Sequence, residues 1–259
     1  MNILLITSDQ QRWDTLGRLN SAIDTPNLDR LAARGVLFDR AYTVNPVCTP
    51  TRCSILTGEY PSRHGCFHVG TSLPENYGPT VAHRFAASGY STSLIGKSHF
   101  QACKDPASLE SAPRVHDLDH FSNWNGPYFG FEHTELVIGH TSEPHAAGMH
   151  YGAWLRDRGV DLERFFNIHD YDHYGPWSLP EELHGSTWVA DRSNRRHRSR
   201  QGQTLLSMVK LPGPSQSLCH TRTMGIAIRR HVRAGSHPAT RPRCASGVLR
   251  QPCAWCLLW

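Results

Sequence analysis

The sequence predicts an α/β fold in which a mostly parallel sheet is sandwiched by helices, followed by an irregular C-terminal tail. Three observations predict it. Asn2 to Thr7 is a short apolar run of the kind found in strands buried on both faces of a parallel sheet. Two later segments, Thr25–Gly35 and Pro79–Gly89, carry apolar residues at helical spacing and each ends in glycine. The second of them leads directly into a β-rich stretch and a polar turn, which is the helix–strand alternation of parallel sheets.

The elements follow in order. Ser8-Asp9-Gln10-Gln11 comes straight after the first strand, so Asp9 and Gln10 belong at its carboxyl end. Ligands of open α/β sheets bind along that edge, and both side chains offer oxygen ligands suited to a hard divalent cation. In the next helix Thr25 is the expected N-cap and Pro26 the first helical residue; Leu28, Leu31 and Ala32 form the apolar face, and Val36-Leu37-Phe38 then reads as a strand. The helix of residues 79–88 (Val81, Ala82, Phe85, Ala86) precedes a strand at Tyr90–Ile95 and the turn Gly96-Lys97-Ser98-His99, returning Lys97 and His99 to the ligand edge. Between 105 and 191 the text is rich in His, Gly, Pro and aromatic residues, as in substrate-shaping loops. It contains one credible strand through Glu135–Ile138 and a helix start at Tyr151.

The chain of 259 residues is long enough for a substantial core. No apolar run approaches the roughly 20 residues of a membrane span. The first residues lack the basic flank and cleavage site of a signal peptide, and the eight cysteines follow no disulfide-scaffold spacing. A cytoplasmic location with no membrane partner is the expectation. The net charge of +5 hides a break: all 22 acidic residues lie at or before Asp191, while 13 of the 27 Lys and Arg lie after it. Residues 192–259 are therefore read as a separate basic tail with no sustained helix or strand period.

The densest chemistry lies between Asn45 and Gly65. Pro46 keeps the chain extended, Thr49 reads as an N-cap with Pro50 at the first helical position, Ile55 and Leu56 supply the buried face, and Gly58 ends the helix. Cys48 thus sits at a helix N-terminus, where unpaired N–H groups favour an anion, with Arg52 one turn inside. A sulfur in that setting is an activated one.

Cys48-x-Pro50-x-Arg52, followed by Leu56-Thr57-Gly58-x-Tyr60-Pro61-x-Arg63-x-Gly65, closely resembles the type I sulfatases. The string Gly89-Tyr90-x-Thr92-x-x-x-Gly96-Lys97-x-His99 is similar to the same family. The resemblance covers roughly residues 1–190 and implies an alkaline-phosphatase-like fold, incomplete in this chain. It implies conversion of Cys48 to formylglycine by a formylglycine-generating enzyme. It also implies a divalent metal, Ca²⁺ first with Mg²⁺ or Mn²⁺ as alternatives, held by Asp9, Gln10 and the modified Cys48. Asp-Gln at that position marks a subgroup that includes phosphonate monoester hydrolases. Lys97 would contact the sulfate oxygens and His99 the formylglycine. A histidine from the later region would protonate the leaving group: His140, His145 and His150 are candidates, His140 preferred because it ends a strand, and Asn76 is a further pocket candidate. The family's remaining metal ligands and second sulfate-binding lysine have no matching segment.

The function expected is a sulfuric ester hydrolase acting on a small sulfate ester, truncated and of uncertain activity. A phosphonate monoester or phosphodiester hydrolase on the same scaffold is the nearest rival, and a non-catalytic fragment with a basic nucleic-acid-binding tail is the other. For the tail itself, a shifted reading frame beginning near Arg192–Arg200 is preferred over a nucleic-acid arm or a zinc site from Cys244, Cys253 and Cys256.

Overall fold

The computed structural model describes residues 1–140, 144–166, 175–177, 179–212 and 219–220. In chain order it contains β1 (Ile3–Ser8), α1 (Pro26–Arg34), α2 (Cys48–Thr57), α3 (Pro61–His64), α4 (Val81–Ala87) and β2 (Ser91–Lys97). Then come α5 (Ala112–Val115), α6 (Leu118–Asn123), β3 (His133–Val137), α7 (Met149–Arg156), α8 (Leu162–Phe166) and β4 (Gly175–Pro176). The last are α9 (Gly185–Ser199), β5 (Leu205–Leu211) and β6 (Cys219–His220).

Four strands form a parallel sheet in the order β1-β5-β2-β3. The pleat sorts its side chains into two rows. Leu5, Met208 and Leu94 are in register and face a core shared with Cys53 and Leu56 of α2 and with Phe100 and Tyr128. Val209 and Ile95, the next row, face a second core built from Tyr151 of α7 and Trp188 and Val189 of α9. Each such large apolar side chain taken fully from water contributes about 1.5–3 kcal/mol. The α/β expectation holds: helices cover both faces of β2 and β5.

One backbone approach decides a residue type. A Cβ at Gly96 would lie 1.9 Å from the Lys210 carbonyl oxygen, and Gly96 has φ 108°, so only glycine lets β2 and β5 pair there.

Two expectations are corrected. The boundary at Asp191 is not structural: α9 runs through it, and β5 lies between β1 and β2. Four arginines of α9 (Arg192, Arg195, Arg196 and Arg198) lie off its buried row of Trp188, Val189 and Ser193. In β5 the Ser207 and Lys210 side chains interrupt an otherwise apolar run, yet both are buried. Val36-Leu37-Phe38 forms no strand; Val36 and Phe38 are exposed, and no described strand lies beside β1 on its outer edge to pair with them. Cys244, Cys253 and Cys256 lie outside the described residues.

Candidate active site

The carboxyl edge of the sheet gathers the chemistry. β1 ends at Ser8 and hands over Asp9; β2 ends at Lys97 and hands over Ser98 and His99; β3 ends at Val137, three residues before His140. Gln10 (φ 51°) and His99 (φ 56°) both take the left-handed conformation just past their strands, a strain common where side chains are aimed at a site. The N-terminus of α2 meets this edge from the side. Its start is one turn's detail away from expectation: Val47 is the N-cap and Cys48 the first helical residue, while Thr49 lies inside the helix. Asn45 organises the entry instead, its Oδ1 accepting from the Val47 N–H at 2.8 Å and its carbonyl from the Thr51 hydroxyl. Gly58, at φ 74°, ends the helix with its N–H on the Ser54 carbonyl.

Asp9 is the hub. Lys97 Nζ donates to its Oδ2 at 2.7 Å, Arg52 approaches Oδ1 at 3.5 Å, and the Cys48 thiol donates to Oδ1 with Sγ at 3.7 Å. His140 Nδ1 stands 3.8 Å from Oδ2 and 3.4 Å from Lys97 Nζ. Arg52 also donates to the Lys97 carbonyl at 2.8 Å, which locks α2 to the end of β2. Burial alone would raise the Asp9 pKa, but Lys97 and Arg52, and to a lesser degree His140, hold it well below the usual carboxylate range. His99 is pushed well down, first by burial and then by Lys97 and Arg52, so it is a neutral imidazole. Two permanent cations around one carboxylate leave positive charge in excess beside Cys48, a setting that attracts an oxyanion. Thr49 Oγ1 and His99 Nδ1 are buried there without a hydrogen-bond partner.

Residues 1–166 match the family model described as Sulfatase. The chain belongs to the sulfatase family. It is 32% identical over 203 residues to an arylsulfatase of Clostridium perfringens, a match covering 74% of this chain and 38% of that protein. It is 33% identical over 139 residues to human N-acetylgalactosamine-6-sulfatase, covering 48% of this chain and 25% of the relative. Among solved structures, the phosphonate monoester hydrolase of Agrobacterium radiobacter superposes with a TM-score of 0.61 at 22% identity, over 82% of this chain and 41% of that one. That likeness establishes the fold. The chain thus spans about two fifths or less of the length of these relatives.

For a sulfatase the expected metal is the point of disagreement. Among the described residues Asp9 is the sole carboxylate of the cluster, and both its oxygens already face Lys97, Arg52 and the Cys48 thiol. Gln10 is exposed. Among the described residues no three His, Cys, Asp or Glu side chains come together in a metal-holding group. A hard cation wants six or more oxygen ligands, and the Lys97 and Arg52 charges at Asp9 oppose it. The described residues do not fit the metal.

The histidines separate cleanly. Of the three candidates, His140 reaches the Asp9–Lys97 pair. His150 is bound up in the fold: its Nδ1 accepts from the Leu136 N–H at 2.9 Å and its Nε2 donates to the Trp124 carbonyl at 2.7 Å. The His145 ring lies tilted against that of His116, with centroids 6.3 Å apart, and Asn76 is exposed. Sequence reading missed Lys210, buried at the end of β5 with Nζ 4.5 Å from the Phe100 ring centroid. The signal that could have found it was the apolar run of 205–211.

Proposed function

We propose that this sulfatase chain carries the nucleophile half of a sulfuric ester hydrolase, with Cys48 as the residue converted to formylglycine and a small sulfate ester as substrate. The observation that carries the reading is the Cys48 sulfur 3.7 Å from Asp9 Oδ1 at a helix N-terminus, with Lys97 and Arg52 on the same carboxylate. An oxyanion arriving at that point meets two cations and unpaired backbone N–H groups.

In this reading one hydroxyl of the aldehyde hydrate loses its proton to solvent and attacks sulfur in line, forming an O–S bond as the ester O–S bond breaks. Arg52 and Lys97 hold the charge that gathers on the equatorial oxygens. His140 delivers a proton to the departing alcohol. His99, neutral in its buried position, accepts the proton from the second hydroxyl; the C–O bond to sulfate then breaks and the aldehyde returns. A hydrate has this exit, and a serine sulfate ester does not.

Two measurements test it. Mass spectrometry of the peptide containing Cys48, after co-expression with a formylglycine-generating enzyme, is expected to find the aldehyde; a thiol throughout overturns the reading. A Cys48→Ser protein is expected to lose multiple turnovers of an aryl sulfate. The Asp9-Gln10 pair favours a second reading, an aryl phosphonate ester as substrate, and the ratio of turnover on the two esters separates them.

A further inference from the structure

Two buried thiols stand together behind the helix that presents Cys48. Cys53 lies on the inner face of α2, next to Arg52, and Cys66 lies just past the end of α3; neither has any exposed surface. Both belong to the core that Leu5, Leu94 and Met208 face, and both are unbridged in this structure. Their neighbours fix them against each other. Ser54 Oγ and His64 Nε2 meet at 2.9 Å, and the Cys66 N–H donates to His64 Nδ1 at 3.2 Å. With Nδ1 accepting, the imidazole carries its proton on Nε2, so one side chain fastens the residue beside Cys53 to the backbone of Cys66.

The Cys53 S–H faces two acceptors, the Phe100 carbonyl at 3.8 Å and the Cys66 sulfur. The sulfur–sulfur contact splits the pair in acidity. Cys66 receives the Cys53 hydrogen bond and, against the cost of burial, is held below the ordinary thiol range, with His64 and Thr71 adding to the effect. Cys53, on the donating side, is pushed far above that range by the same bond and by burial. One sulfur is therefore suited to attack and the other to keep its proton until a second step. Joining them orphans no buried group: the Phe100 carbonyl keeps the Leu73 N–H at 2.8 Å, and His64 keeps Ser54. Cys66 is covered but close to solvent. Every other residue from Gly65 to Gly70 is exposed, and the segment contains no helix or strand, so a molecule hardly larger than water has a thin layer of chain to pass.

We propose that Cys53 and Cys66 form a reversible disulfide, with Cys66 the thiol that reacts with hydrogen peroxide and Cys53 the thiol that resolves the product. The Cys66 thiolate attacks one peroxide oxygen; an S–O bond forms, the O–O bond breaks, and the departing hydroxide takes a proton from solvent to become water. The Cys53 sulfur then attacks the Cys66 sulfenic acid. The S–S bond forms, the S–O bond breaks, and the Cys53 proton leaves with the hydroxide as a second water. The two thiols together give up an electron pair, and peroxide accepts it. The bridge ties α2, and with it Cys48 and Arg52, to the segment after α3, and a small thiol reverses it by exchange. Nothing in this scheme calls on the chemistry assigned to Cys48, so its test reads covalent state and not turnover.

The full chain is reduced, exposed to hydrogen peroxide without denaturant, quenched, alkylated in urea and digested with trypsin. Cleavage after Arg52 and Arg63 puts Cys48, Cys53 and Cys66 on three different peptides. Mass spectrometry is expected to find the Cys53 and Cys66 peptides cross-linked, and to lose the cross-link after dithiothreitol. In Cys53→Ser, checked by circular dichroism for unchanged helix content, oxidation is expected to stop at a Cys66 sulfenic acid that dimedone traps. In Cys66→Ser the Cys53 thiol is expected to stay reduced. The proposal is overturned if both thiols of the wild type still alkylate once the more exposed Cys103 has been oxidised, or if the bridge forms only when peroxide is added in urea. Bridges from Cys53 or Cys66 to other cysteines in place of the pair overturn it as well, as does a dimedone adduct on Cys53 and not on Cys66.

Discussion

Lys97 Nζ lies 2.7 Å from Asp9 Oδ2, the two residues being 88 positions apart and almost wholly buried. This pair joins the ends of β1 and β2 across the gap filled by β5, and it sets the charge of everything near Cys48. A buried pair is weak evidence for stability in itself, since desolvation cancels much of the attraction, but removing one partner leaves the other uncompensated.

Asp9→Asn is therefore expected to destabilise the chain by about 3–5 kcal/mol, because Lys97 and Arg52 would then share a buried site with no counter-charge. Urea denaturation measures it. A change under about 1 kcal/mol would mean that water reaches the pair and screens it.

The same pair sets an acid limit. Lys97 and Arg52 depress the folded-state Asp9 pKa below its unfolded value of about 3.9, so the stabilisation is complete above that pH and is lost as pH falls below it. Urea midpoints between pH 5 and pH 3 should fall more steeply for the wild type than for Asp9→Asn, which has no carboxylate to titrate.

His150 acts in a higher window. Burial outweighs its hydrogen bond to Trp124 and pushes its pKa down to about 4. The unfolded chain binds the proton from about pH 6.5 downward while the folded chain resists it, so stability is full above pH 6.5 and drains toward pH 4. The contribution is about 3 kcal/mol across that window. His99 works in the same direction. In His150→Gln the slope of stability against pH between 6.5 and 4 should flatten, even though the variant starts lower.

Sulfate itself probes the charged end of α2. At one hundred times its Kd a ligand adds about 2.7 kcal/mol to folding stability. Sodium sulfate should raise the wild-type Tm further than that of Lys97→Met, with both compared against sodium chloride at equal ionic strength to remove the general effect of sulfate on burial. Equal shifts would remove Lys97 from anion binding.

Gly96 is a backbone constraint and not a site residue. Gly96→Ala puts a methyl group 1.9 Å from the Lys210 carbonyl at φ 108°, so the variant must separate β2 from β5. A loss of about 3 kcal/mol or more is expected in thermal unfolding, the scale of a strained backbone plus lost ladder bonds.

What sequence could reveal divides along physical lines. Cys48, Arg52 and Gly58 were legible because a helix start and stop are written in neighbouring residues, and Lys97 because a glycine-closed helix leads into its strand. The Asp9–Lys97 contact was not, since pairing across 88 positions leaves no local trace. The helix starts at Cys48 with Val47 as N-cap and no side-chain cap, and Asn45 fixes the preceding turn by accepting from the Val47 N–H, a choice propensity alone does not rank. Leu28 and Leu31 of α1 read as scaffold from their spacing, but spacing reports an apolar stripe and not whether anything covers it.

Composition misled most at Asp191, and that yields the sharpest test of the fold. The loss of acidic residues there marks a chemical break, yet β5 supplies the only described partner of β1 and the inner partner of β2. A chain ending at Asp191 would leave Leu5, Leu94 and Ile95 without the Met208 and Val209 rows that cover them, and Asp9 would lose the strand that holds it near Lys97. Such a chain is expected to show no cooperative urea transition, whereas one ending at Pro212 keeps it. Cooperative unfolding of the shorter chain with an unchanged midpoint would mean that β1 and β2 reach their positions without β5.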